Sequence, residues 1–287
     1  MTDTSLTHEQ LSTREDWANE MGQRWLSNLD SFEGMIAPIG KALLKRAAFK
    51  PDERVVDLGC GGGATTIAIA QAVAPTGEVV GLDISPDLVA HATRRAADAG
   101  ASNARFVCAD ASTATLDAKF DRLFSRFGSM FFDEPYAAFA NLHNMLKPGA
   151  RIDLAVWASP KDNPWIRDVT LAAKNHLDIP TPEPRAPGPF AFEDTDYLTD
   201  ILKQAGFSAI DIVGHMDMLA VGGAGKSPDQ VAEFLMNATT FGSLLVDREP
   251  ELKARVRQDI TELLQVHYRP GEGVMMGAKA WLVSARA

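Results

Sequence analysis

The stretch Val-Val-Asp-Leu-Gly-Cys-Gly-Gly-Gly at 55–63, running into the alanine-rich segment 64–74, limits the folds open to this chain more than any other. Glycine lets a backbone bend sharply and come close to a ligand. A short β-branched strand that ends in glycines and opens a helix is therefore a nucleotide-binding turn. Gly59, Gly61 and Ala64 also satisfy the G-x-G-x-x-G/A spacing of dinucleotide-binding folds, and a tight strand-to-helix turn that binds nothing has the same form. Asp57, an acidic residue with glycines at 59, 61 and 63 beyond it, narrows the choice.

The segments that follow repeat the arrangement. Residues 78–83 (E-V-V-G-L-D) form a second strand, and strand, helix, strand makes a right-handed parallel unit. Asp83 ends that strand, where a carboxylate can accept two hydrogen bonds from ribose hydroxyls. Ser85 and Pro86 open the next helix as cap and first residue, a role Asp83 could share. A third strand, 105–109, ends in Asp110, which fits either an acceptor for an adenine amino group or an exposed turn. Three strands each ending in an acid form a more specific constellation than any one of them. Residues 120–125 give a fourth strand and 151–157 a fifth. Residues 209–214 give a sixth and 278–285 a last one. Before the glycine turn, residues 1–12 are polar and expected to lack fixed structure. Trp17, Met21, Trp25 and Leu29 lie four apart on one face of a helix spanning 13–29, and a second helix spans 36–48.

The Asp57 and glycine pattern resembles the first motif of the class I S-adenosylmethionine (SAM)-dependent methyltransferases. The run S-R-F-G-S-M-F-F at 125–132, with A-A-F-A-N-L at 137–142 and L-K-P-G at 146–149, resembles a bacterial small-molecule branch related to ubiquinone/menaquinone-type methyltransferases. Gly149-Ala150 stands where that branch usually has two glycines, and Pro-Gly-Pro-Phe at 187–190 matches the branch with no known role. The resemblance implies a Rossmann-like α/β sheet of order 3-2-1-4-5-7-6, with strand 7 antiparallel and helices on both faces. It implies SAM as cofactor and S-adenosylhomocysteine as product. The expected cofactor-binding residues are Trp25, Asp57, Gly59, Cys60, Gly61, Asp83, Ile84, Asp110, Ala111, Ser125, Arg126 and Phe127. Ser125, Arg126, Phe127 and Met130 fall near the methionine portion. Trp25 either packs on the core or offers an aromatic wall to the sulfonium cation.

A helical cap (1–50) and a methyltransferase domain (51–287) are expected, with helical insertions at about 158–192 and 215–270 over the acceptor. Trp157, Asn163, Trp165, Met236 and Phe241 are candidates to line that pocket or to pack as core. A formal net charge of −10 argues against nucleic acid as the main partner. With neither a secretory segment nor a membrane span read from the sequence, the cytoplasm is the expected compartment. Cys60 and Cys108 sit on strands separated by a third, about 9 to 10 Å apart. That is too far for a bridge, and both are expected as small buried hydrophobes. No metal-ligand spacing occurs. Of the histidines, His143 and His91 fall away from the strand ends, whereas His215 and His267 fall on the productive side without an evident partner, so no catalytic base is assigned. The expected activity is methyl transfer to a C, O or N atom of a small organic acceptor. Alternatives are an NAD(P)-dependent oxidoreductase, which shares the glycine turn and Asp83, and a non-methylating SAM-binding protein of the same fold.

Overall fold

The computed structural model describes residues 17–239, 242 and 244–287. Strands β1 (Arg54–Leu58), β2 (Glu78–Asp83), β3 (Ala104–Cys108), β4 (Phe120–Arg126) and β5 (Leu146–Trp157) run parallel. β6 (Ser208–Ala220) forms one edge, and β8 (Gly273–Arg286) inserts antiparallel between it and β5. The order β3-β2-β1-β4-β5-β8-β6 is the expected one, apart from a two-residue strand, β7 (Tyr268–Arg269), that pairs with β8. The helices are α1 (Glu20–Ser27), α2 (Leu29–Ala47), α3 (Ala64–Val73), α4 (Pro86–Asp98), α5 (Pro135–Asn144), α6 (Pro164–Lys174), α7 (Thr195–Gln204), α8 (Pro228–Ala238) and α9 (Pro250–Gln265).

β1 is buried along almost its whole length, so Val55, Val56 and Leu58 do not alternate with solvent-facing residues and Asp57 is buried among them. The start of α4 follows the sequence: Ser85 accepts the Leu88 N–H and Pro86 takes the first turn. Asp194 likewise accepts the N–H groups of Asp196 and Tyr197 and starts α7.

Four regions depart from expectation. The helix break near the N-terminus falls at Asn28, so α2 starts at Leu29 and carries Pro38 inside it. An internal proline costs about 3 kcal/mol. Ile36, Ile39 and Leu43, all buried on one face of α2, each contribute roughly 2 kcal/mol and outweigh it. β5 begins at Leu146, and the Pro148-Gly149 pair is absorbed in a register shift, because Phe120 pairs with Leu146 while Arg122 pairs with Arg151. β6 continues to Ala220 because β8 supplies partners as far as Met275, which places His215 inside the ladder rather than beyond it. Cys108 is exposed, not buried as expected, because β3 is the other edge of the sheet; Cys60 is buried. α8 ends at Ala238, and Phe241 lies outside the described residues, as do the first residues of the helix expected from 13. Among the described residues no helix is long and apolar enough to cross a membrane, and no cluster of His, Cys, Asp or Glu could hold a metal.

Candidate cofactor and acceptor site

The parallel order places the carboxyl ends of β1, β2 and β3 side by side. In register, Asp57 lies beside Gly81 of β2 and Asp83 beside Cys108 of β3; Asp57 is one residue short of the end of β1, Asp83 ends β2 and Asp110 comes two residues after β3. The glycine turn is bound to β2. The Gly59 and Cys60 N–H groups donate to the Leu82 carbonyl at 2.8 and 3.2 Å. Asp83 accepts the Gly61 N–H at 2.8 Å on one oxygen and the Ser85 N–H at 2.9 Å on the other. Burial raises its pKa above the ordinary carboxylate value, against the pull of these N–H groups. Asp110 accepts the Ser112 N–H and hydroxyl at 2.9 and 2.7 Å. Ala111 is buried beside it, its carbonyl taking the Asn141 amide at 2.9 Å. Ile84, half-buried after Asp83, offers its carbonyl to the Cys108 thiol at 3.6 Å.

Gly59 has a φ of +64°, and a Cβ placed on it would lie 2.7 Å from the Gly128 Cα. A Cβ on Gly128 would lie 2.8 Å from the Gly59 Cα. The turns after β1 and β4 therefore cross main chain against main chain. Phe127, just before the crossing, also has a left-handed φ, of 64°. Ser125 is fully buried and donates its hydroxyl to the Leu58 carbonyl at 3.0 Å, so its side chain is held within the sheet.

Asp57 is 1% exposed. One of its oxygens accepts the hydroxyls of Thr65 and Thr66 at 2.7 and 2.6 Å; the other is buried and unpartnered. Burial raises its pKa to about 6, with the two threonines and Arg126 acting in the opposite direction. Burial also lowers the pKa of Arg126, opposed by the charges of Glu33 and Asp57. The Arg126 chain runs where α2 carries Gly40: a Cβ there would meet its Cδ at 2.9 Å and its Nη1 at 3.0 Å.

The N-terminal helices press on the glycine turn from outside. Trp25 Nε1 lies 3.6 Å from where a Gly61 Cβ would stand, and Leu29 crowds Gly62. Trp25 stacks on Phe32 with centroids 4.0 Å apart and 7° between planes. Arg95 of α4 donates to both Glu33 oxygens at 3.0 and 2.8 Å and to the Gly62 carbonyl at 3.1 Å, fastening α2 to the turn. Neither residue carries a motif, and their separation in the chain hides the pairing from sequence reading. On the other side, Phe127 stacks on Trp157 at 4.1 Å, and Trp157 packs on Trp165 at 5.1 Å. Trp157 and Trp165 are buried. Asn163 is fully buried, with its amide donating to the Ala158, Ser159 and Lys279 carbonyls and its oxygen accepting from Lys279 N–H and Trp165 Nε1. These three belong to the packed interior, and the polar capacity of Asn163 is already satisfied within it.

Residues 55–149 match the family model described as a methyltransferase domain. The chain is similar to an aklanonic acid methyltransferase of Streptomyces sp. (strain C5), 32% identical over 40% of this chain and 53% of that protein. It is also similar to a demethylmenaquinone methyltransferase of Staphylococcus saprophyticus, 27% identical over 65% of this chain and 83% of that protein. The chain spans about half the length of two of the curated relatives it matches. Among solved structures it resembles phosphoethanolamine N-methyltransferase 2 of Haemonchus contortus in complex with SAM, with a TM-score of 0.57 and 15% identity over 96% of this chain and 60% of that one.

Proposed function

We propose, from the premise that this chain carries a class I SAM-dependent methyltransferase domain, that it transfers a methyl group from SAM to a small organic acceptor. The observation that carries the reading is a buried carboxylate oxygen left without a partner behind the glycine turn, with a cation beside it. Among the described residues Asp57 keeps one buried carboxylate oxygen without a partner, and the half-buried Arg126 cation lies where Asp57 and Glu33 favour its charge. An unpartnered buried oxygen costs about 1–3 kcal/mol and calls for a donor. The methionine end of SAM is a zwitterion, with an ammonium suited to Asp57 and a carboxylate suited to Arg126. Asp83 would take the ribose hydroxyls and Asp110 the adenine amino group. Gly59, Cys60 and Gly61 would offer main chain, and Ile84 and Ala111 would flank the base. Trp25 and Phe127 would wall the sulfonium from two sides, and Ser125 would act by fixing the β4 end.

When bound, SAM supplies an activated methyl group with its own leaving group. The protein's part is alignment and exclusion of water. The aromatic rings at Trp25, Phe32, Phe127 and Trp157 suit that part, and no catalytic base is assigned. Residues 1–50 would form the cap, and segments 158–192 and 215–270 would roof the acceptor. Relatives named for aklanonic acid and demethylmenaquinone support a small organic acceptor rather than a polymer. A cytoplasmic location is part of the same reading. The antiparallel β8, which dehydrogenase sheets lack, favours this reading over an oxidoreductase.

The test is incubation of the protein with methyl-labelled SAM and a metabolite extract. Label moving into an extractable small product supports the proposal. SAM binding in calorimetry with no label transferred would instead leave a non-methylating SAM-binding protein.

A further inference from the structure

Lys226 stands in the loop between β6 and α8, at the carboxyl-end rim of the sheet. Its Nζ donates to the hydroxyl of Ser31, a buried residue of α2, at 2.5 Å, and lies 5.8 Å from the centre of the Phe234 ring. Among the described residues the other half-buried lysines have anionic or carbonyl partners. Lys147 pairs with Asp121, Lys279 with Asp162, and Lys253 donates to the Val246 carbonyl. Among the described residues Lys226 has the neutral Ser31 hydroxyl and the face of the Phe234 ring, and no anionic partner. An ammonium partly withdrawn from water without a counter-charge gains from an anion that meets it. In a chain of net charge −10, a carboxylate could readily have been its neighbour.

The ammonium also ends a row of rings that begins at the glycine turn. Trp25 lies over Gly61 and stacks on Phe32; Phe32 meets Phe234 edge-on at 4.9 Å; Lys226 faces Phe234. Ser31, Phe32 and Glu33 are consecutive on α2, and Glu33 shares Arg95 with the Gly62 carbonyl. The cation is thus anchored to the same turn of α2 that abuts the proposed cofactor loop.

We infer that Lys226 selects the acceptor: this site takes a molecule with a flat unsaturated body that bears an acidic group, the body lying along Trp25, Phe32 and Phe234 and the acid meeting Lys226 in place of the Ser31 hydroxyl. This rests on the methyltransferase reading for the identity of the ligand as acceptor, but the charge preference itself is measurable without turnover. An ammonium–carboxylate bond replaces one from the ammonium to a neutral hydroxyl, which favours the anion over its uncharged isostere.

The experiment titrates the full chain, saturated with S-adenosylhomocysteine, with 2-naphthoate and with 2-naphthamide, following tryptophan fluorescence. Naphthoate is expected to bind at least tenfold tighter than the amide. Lys226→Gln is expected to abolish that preference while leaving the affinity for S-adenosylhomocysteine, which reports correct folding, unchanged. Lys226→Arg is expected to retain most of it. Equal binding of the two probes, no binding of either, or a preference that survives in Lys226→Gln overturns the inference. Failure of S-adenosylhomocysteine to bind would count against the methyltransferase reading instead, and the same naphthoate comparison without it would still decide the role of Lys226.

Discussion

Asp57 carries two demands that pull against each other. Its folded-state pKa of about 6 lies above the ordinary aspartate value because burial disfavours its charge. An acid raised in this way adds most to stability below its unfolded pKa, and that contribution is lost as pH rises through 6. Between roughly pH 4 and 7 this residue should therefore make the free protein less stable, by on the order of 3 kcal/mol. A cationic ligand group prefers the ionised form, so SAM affinity should change in the opposite direction and weaken as pH falls below 6. Calorimetric titrations from pH 5 to 8, alongside thermal unfolding over the same range, check both signs. Asp57→Asn should flatten both profiles and weaken SAM binding while keeping the threonine contacts. Asp83→Ala should lower SAM affinity roughly ten- to a hundredfold, the 1.5–3 kcal/mol of a hydrogen bond to a charged group. Unaltered affinity in that variant would remove Asp83 from the ribose assignment.

At the level of elements, the crossing of the turns after β1 and β4 is the most exacting feature. Gly128 sits against Gly59 so closely that a methyl group on either must displace main chain. Gly128→Ala should cost about 1–3 kcal/mol of stability and weaken SAM binding at least tenfold, as read by denaturant unfolding and calorimetry. Wild-type affinity in a folded Gly128→Ala protein would show that the crossing does not shape the site. Much of this was legible in the chain. The glycine spacing, the acids at 57, 83 and 110 and the S-R-F-G run lie within short stretches, and short-range patterns fix strand ends and turns. Contacts set by packing between distant segments were not: Glu33 with Arg95, Gly59 with Gly128, and the closed amide network of Asn163 that removes it from the expected pocket lining. The ends of α2, β5 and β6 differ from the local signals for a related reason. A partner strand or a buried face extends each element past them.

Across the molecule, α2 and three strands are joined by one buried ionic knot. Arg122 of β4 donates to Asp153 of β5 at 2.7 Å and to the Ala47 carbonyl at the end of α2 at 2.6 Å, while Glu53, just before β1, lies 3.2 Å away. Arg151 also donates to Asp153, at 2.6 Å. Asp153 is fully buried, so removing one partner strands a charge in a medium that solvates it poorly. Arg122→Met is expected to cost about 3–5 kcal/mol and to lower Tm by about 10 °C, read by scanning calorimetry. A shift under 2 °C would mean that the knot is replaceable by apolar packing.

The missing side chain at Gly40 makes room for a charged one. The Arg126 side chain lies in the notch that this residue leaves, so where its guanidinium rests is limited by the girth of a helix. A methyl group at this position, in Gly40→Ala, would force that side chain to shift and so retune the field around it with every titratable residue left in place.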